Sequence, residues 1–194
     1  MNSVLVLLQK KIPPKWEIQT FFENNVYVEL KYPFIKYAMD NVQLYNIQGY
    51  KTLIIPGAYS VDKYYRLQMG FQWFKDEQLS TEEMEEGFRL ATEKCSYGVE
   101  LILSHTCPSI FEPTDLFLSQ IDQSMVDISM ERYLGRIEFK IPYKVWAWGH
   151  YHQHREYPRK QVCPSLTHPR RIMLFHDVIE LNDLMNSKDL VKKL

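Results

Sequence analysis

From Asn25 onward the chain is rich in β-branched and aromatic residues. Val26-Tyr27-Val28-Glu29-Leu30 alternates apolar and polar positions. Leu44-Tyr45-Asn46-Ile47 followed by Lys51-Thr52-Leu53-Ile54-Ile55 predicts a hairpin turning at Gln48-Gly49. After Pro56-Gly57 the period lengthens. Ser80 with Glu83 three residues on forms a capping box that opens a helix through about Lys94. Met84, Phe88, Leu90 and Ala91 are its apolar stripe, and Glu82 to Glu86 its solvated face. Val99 to Leu103 is a compact apolar strand that stops at Ser104-His105-Thr106-Cys107-Pro108. A second helix is predicted from Asp127 to about Phe139, with Met130, Tyr133, Leu134 and Ile137 at helical spacing. Tyr143 to Trp148 is another short strand, ending at Gly149-His150-Tyr151-His152. Arg171 to Phe175 and Val178 to Leu181 predict one or two closing strands. At the other end, Val4 to Leu8 reads as a short strand or helix, broken by Pro13 and Pro14. Alternating strands and helices predict a mixed α/β domain.

Composition narrows the class. With 194 residues, 45% of them hydrophobic, the chain can bury a substantial core, as one domain or as part of a larger one, and a disordered tail is excluded. The 23 Lys and Arg nearly balance the 24 Asp and Glu, so no long-range field points to a nucleic-acid or membrane partner. Val4 to Leu8 is too short to span a bilayer or to serve as a signal peptide, and the expectation is a cytoplasmic protein. Cys95, Cys107 and Cys163 form no CxxC pair, which favours reduced thiols over a disulfide framework or a cysteine zinc site. No repeat or Gly/Ser linker divides residues 1–194.

Two histidine clusters follow hydrophobic strands directly, at the loops where α/β proteins display ligands and catalytic groups. His150 and His152 are two apart, and after Gly149 the backbone can curve and aim both at one cavity. Imidazole is a natural ligand for zinc, manganese, iron and nickel. Asp115 and Asp122 lie on chain leading away from the strand end and make poor ligands. Cys107 has no third group to orient it as a nucleophile and reads as a small buried residue. Trp73, Phe74, Trp146 and Trp148 read as core and rim aromatics. Arg155, Arg159, Lys160, Arg170 and Arg171 read as a solvated basic stretch. His168 and His176 fall in no usable pattern.

Four segments together resemble the calcineurin-like metallophosphoesterases, in particular a bacterial and phage branch. They are Ile55-Pro56-Gly57-Ala58-Tyr59-Ser60-Val61-Asp62-Lys63 with Arg66 beyond, Trp73 to Ser80, Leu103 to Pro108, and Gly149-His150-Tyr151-His152. The resemblance covers roughly Val26 to Leu181. It implies two packed mixed sheets flanked by helices, with a dinuclear centre of divalent metal ions (manganese, iron, zinc or nickel) at the strand ends. It implies that His105 and His150 are ligands of one metal and His152 of the other, and that a phosphorylated substrate is hydrolysed as a mono- or diester. Arg66 can approach a substrate phosphate bidentately, or equally belong to an exposed or salt-bridged turn that orders the fold.

The family pattern also carries Asp-x-His, Gly-Asp and Gly-Asn-His-Asp/Glu motifs toward its N-terminus, which supply the bridging carboxylate and the catalytic histidine. None is present: the first aspartate is Asp40 and the first histidine His105. Without an anion between them two divalent cations repel, so three neutral imidazoles hold at most one ion. The expectation is the C-terminal portion of a metallophosphoesterase domain, not competent alone and with no catalytic residue of its own. Strand edges left open by the missing part favour self-association or a complementing N-terminal polypeptide. The alternatives are a non-catalytic binding or assembly module and a half-domain that binds zinc for structure.

Overall fold

The hairpin forms as β5 (Gln43–Ile47) and β6 (Tyr50–Ile55), with Ile47 opposite Tyr50 so that two residues close the turn. Gln48 and Gly49 take φ of 52° and 87°, the pair of positive values a type I′ turn demands. In the computed structural model, which describes residues 4–6, 16–21, 23–39, 41–117, 122–157, 169–175, 178–187 and 190, this hairpin is one edge of the larger of two sheets.

That sheet continues through β7 (Val99–Ser104), β8 (Tyr143–Trp148), β10 (Arg170–Met173) and β9 (Arg155–Tyr157). Its order is β5-β6-β7-β8-β10-β9, and β6, β7, β8 and β10 run parallel. Parallel neighbours need crossovers. These are supplied by α1 (Lys63–Gln68) and α2 (Thr81–Lys94) between β6 and β7, and by α3 (Ser129–Lys140) between β7 and β8. The smaller sheet, in the order β1-β4-β3-β2, holds β1 (Val4–Val6), β4 (Ile35–Ala38), β3 (Asn24–Glu29) and β2 (Trp16–Phe21). The mixed α/β class expected from the sequence is the one observed.

Both predicted helices form for the reasons read from their sequences. Ser80 Oγ accepts from the Glu83 N–H at 3.2 Å and Glu83 Oε2 accepts from the Ser80 N–H at 2.8 Å, completing the capping box of α2. On α3, Met130, Tyr133, Leu134 and Ile137 are all buried. Each apolar side chain of this kind contributes about 1.5–3 kcal/mol on burial. They join Leu53, Ile55, Ile102 and Trp146 in a core between the helices and one face of the large sheet. On the opposite face, Val26, Val28 and Ala38 of the small sheet pack on Tyr45, Ile47 and Ile54. The Tyr45 hydroxyl joins the two sheets: it donates to the Asn25 carbonyl at 2.9 Å and accepts from the Met39 N–H at 3.2 Å.

Three sequence readings need correction. Val178 to Leu181 is not a strand: 178–180 carry no regular structure and Leu181 begins a helix. The chain instead enters α4 (Leu181–Asn186), which places Leu181, Leu184 and Met185 against Leu101, Val145 and Ile172. Arg170 and Arg171 are not solvated. They are buried in ion pairs with Glu156 and Glu138, whereas Arg159 and Lys160 lie outside the described residues, as do Cys163, His168 and His176. The third is an omission: β2 pairs along all six of its residues with β3, although most of its side chains face solvent.

Candidate functional site

The parallel strands β6, β7 and β8 end side by side, Ile55 opposite Ser104 and Ser104 opposite Trp148. The loops that follow therefore meet at one edge of the sheet, as in other open α/β sheets. The β7–β8 ladder extends one step beyond both strands, because Gly149 N–H donates to the His105 carbonyl at 3.1 Å. This places His105 beside His150.

His105 Nε2 and His150 Nδ1 are 3.3 Å apart, with ring centroids 5.2 Å apart and planes at 62°. His150 and His152 both have positive φ, 70° and 53°. Non-glycine residues occupy this region at a cost and only when their surroundings impose it. The loop thus curves as the sequence reading requires, but it sends the two imidazoles to different partners. The exposed His152 stacks on Phe175, which follows β10, at 4.8 Å and 29°.

The electrostatics favour neutral rings. Part of each surface of His105 and His150 is accessible, yet burial lowers both pKa values, with the neighbouring histidines acting in the same direction. His150 is pushed down to about 3 by burial, then by His105 and His152, against a weaker opposing pull from Asp62. A neutral imidazole keeps a lone pair for a proton or a metal ion.

Asp62, at the start of α1, is thereby the carboxylate nearest in influence to the pair. It holds Arg66, whose Nε donates to Asp62 Oδ2 at 2.7 Å while Nη1 reaches the Gln72 carbonyl at 3.3 Å. Of the two roles open to Arg66 in the sequence, the structure displays the tie to its own turn. Asp115 is bound bidentately by Arg155 at 2.7 and 2.8 Å, outside the cluster. Cys107 is fully buried, and burial pushes its thiol up to about 12, so it is no nucleophile at neutral pH.

Residues the sequence reading left without a role lie directly behind the histidines. Cys107 Sγ donates to the Tyr151 hydroxyl at 3.5 Å, and Tyr151 and Thr106 hydroxyls are 3.1 Å apart. Thr106 Oγ1 donates to Glu131 Oε1 at 2.7 Å. Burial raises the Glu131 carboxyl to about 7. Its signal in the sequence was an acid on the buried face of α3, with Leu134 and Glu138 three and seven residues on.

Among the described residues, no group of three or more His, Cys, Asp and Glu converges to hold a metal ion. The structure brings His105 and His150 into contact and stacks His152 on Phe175, with His152 near enough to lower the pKa of both. No family model matches the sequence, and no curated protein is similar to it. Among the described residues, no helix is long and apolar enough to cross a membrane.

Proposed function

We propose that this chain is a portion of a calcineurin-like metallophosphoesterase and binds one divalent cation through His105 and His150. The observation that carries the reading is the 3.3 Å separation of two neutral imidazole nitrogens from adjacent strand ends. Two nitrogens bonded at about 2.0–2.1 Å to a tetrahedral ion lie about 3.3–3.4 Å apart, so the separation suits one ion, which would displace the hydrogen bond the two rings share. A divalent ion there would supply Lewis-acid activation of water and of a phosphoryl oxygen. His105 and His150 would hold it. Two mixed sheets with α2 and α3 on the outer face of the larger one support the same fold assignment.

Two nitrogens do not complete a hydrolytic centre. In this reading the bridging carboxylate, the second ion's ligands and the catalytic histidine come from a complementing polypeptide. The surface beside Asp62 supports such a partner: α1 has no buried residue, and Val61, Tyr64, Tyr65, Leu67 and Met69 are all more than half exposed. Apolar surface of that kind on a soluble domain marks a contact region.

The test is calorimetric titration with zinc and with manganese, together with hydrolysis of aryl phosphate mono- and diesters in added manganese, for the wild type and His150→Ala. One ion per chain, lost in the variant, with no turnover by either protein, is expected. Turnover abolished in the variant would show that the chain holds a complete centre. No metal uptake by the wild type would leave the assembly module as the surviving reading.

A further inference from the structure

The loop from Gly149 to His152 holds two non-glycine residues at positive φ, and something must keep it there. Tyr151 lies between them, with its side chain directed inward. Behind it runs a chain of hydrogen bonds. With Glu131 ionised, Thr106 donates its one hydroxyl proton to Oε1, Tyr151 donates to Thr106 Oγ1, and Cys107 donates to Tyr151. In that state the order runs from thiol to phenol to threonine to carboxylate. Chains with one direction polarise each member and strengthen together. Thr106 is fully buried and Glu131 nearly so. The second carboxylate oxygen, Glu131 Oε2, has no partner among the described residues, so the acceptor is fully committed to the Thr106 side.

A second chain reaches the same peptide from the other strand. Trp146 Nε1 donates to Ser104 Oγ at 2.8 Å, and Ser104 Oγ donates to the Thr106 carbonyl at 2.6 Å. His105 is therefore bracketed by two anchored residues, and His150 is adjacent to the anchored Tyr151.

We infer that Tyr151, Thr106 and Glu131 are positioning residues that set the His105–His150 separation. α3 is the fixed body, Glu131 its point of attachment, and the two hydroxyls transmit its position to both histidine loops. The inference adds to the proposed metal site but does not depend on it, because the position of the rings can be read without metal.

Tyr151→Phe removes one oxygen, Thr106→Val exchanges a hydroxyl for a methyl at constant shape, and Thr106→Ser restores the hydroxyl. In the full chain without metal, the ring-nitrogen resonances of His105 and His150 are expected to move in Tyr151→Phe and Thr106→Val and to return toward wild type in Thr106→Ser. With zinc added, the first two variants are expected to bind about tenfold to a hundredfold more weakly, as for loss of partners that orient metal ligands. Unchanged ring resonances in folded Tyr151→Phe overturn the inference, whatever the metal does. Shifted resonances in a protein whose wild type takes up no zinc uphold the positioning role and remove the metal site instead.

Discussion

His105 Nε2 and His150 Nδ1 stand 3.3 Å apart although 45 residues separate them in the chain. The contact follows from backbone register: Ser104 pairs with Trp148, and one further ladder bond joins Gly149 to His105. Two half-buried neighbours whose pKa values fall make the folded state sensitive to acid. The His150 pKa falls from 6.5 to about 3 on folding, so the native state binds fewer protons than the unfolded chain. The stability this provides is present above about pH 6.5 and is lost as pH falls toward about 3.

Glu131 works in the opposite sense, which gives the first prediction. Its pKa rises from 4.5 to about 7, chiefly by burial, so its contribution is greatest below about pH 4.5 and declines as pH rises through 7. Between those values the two residues offset each other, and the wild-type profile alone reveals neither. Glu131→Gln keeps an acceptor for Thr106 but cannot ionise. Urea unfolding of both proteins is expected to show the variant gaining about 2 kcal/mol on the wild type between pH 5 and 7.5. An equal difference at the two pH values would mean that Glu131 does not titrate in this range.

The contrast between Gly87 and Gly135 gives the second. Both are helical, where alanine is favoured over glycine by about 1 kcal/mol. A Cβ on Gly87 would lie 2.6 Å from the Tyr133 hydroxyl and closer still to Val42 Cγ2, both buried side chains. On Gly135 its nearest neighbour would be Ser109 Oγ at 3.4 Å. Overpacking of this kind costs about 1–3 kcal/mol, more than propensity returns. Gly87→Ala is expected to lower the urea midpoint and Gly135→Ala to raise it; a raised midpoint in Gly87→Ala would show that α2 can move away from Val42.

The local chemistry of the sequence carried these helices, and long-range topology is what it did not carry. The capping box of Ser80 and Glu83, the stripe of α3 and the turn at Gln48-Gly49 are decided within a few residues, and all formed where expected. From the residues alone, the meeting of His105 and His150 was legible only as far as both follow strands, and the family resemblance alone set them on one metal; their adjacency depends on β7 and β8 being neighbours. Phe175 as the partner of His152 was not legible, because it arrives from β10 on the far side of β8. Buried charge was the weakest point. Arg170 and Arg171 looked solvated in sequence, since their partners Glu156 and Glu138 lie 14 and 33 residues away.

The Glu138–Arg171 pair gives the third prediction. Both side chains are at most 1% exposed and 2.6 Å apart, and Tyr143 donates to the remaining carboxylate oxygen at 2.5 Å. Removing one member of a buried pair strands the other charge and costs about 3–5 kcal/mol. Glu138→Ala is expected to lose that amount and Tyr143→Phe about 1 kcal/mol, the net value of one hydrogen bond. Equal losses would show that the arginine finds a substitute partner.

Metal linkage gives the last. An ion that binds the native state alone stabilises it by about 2.7 kcal/mol at a free concentration one hundred times its dissociation constant. For a domain of 150–250 residues this corresponds to a rise in Tm of about 5–10 °C. Zinc is expected to raise the wild-type midpoint by that amount and a chelator to return it. His150→Ala, lacking one of the two nitrogens, should show no rise. His152→Ala separates the remaining alternatives, because in the structure this ring stacks on Phe175. An undiminished zinc shift in His152→Ala matches a two-histidine site, whereas its loss would mean that the loop swings His152 inward when zinc arrives.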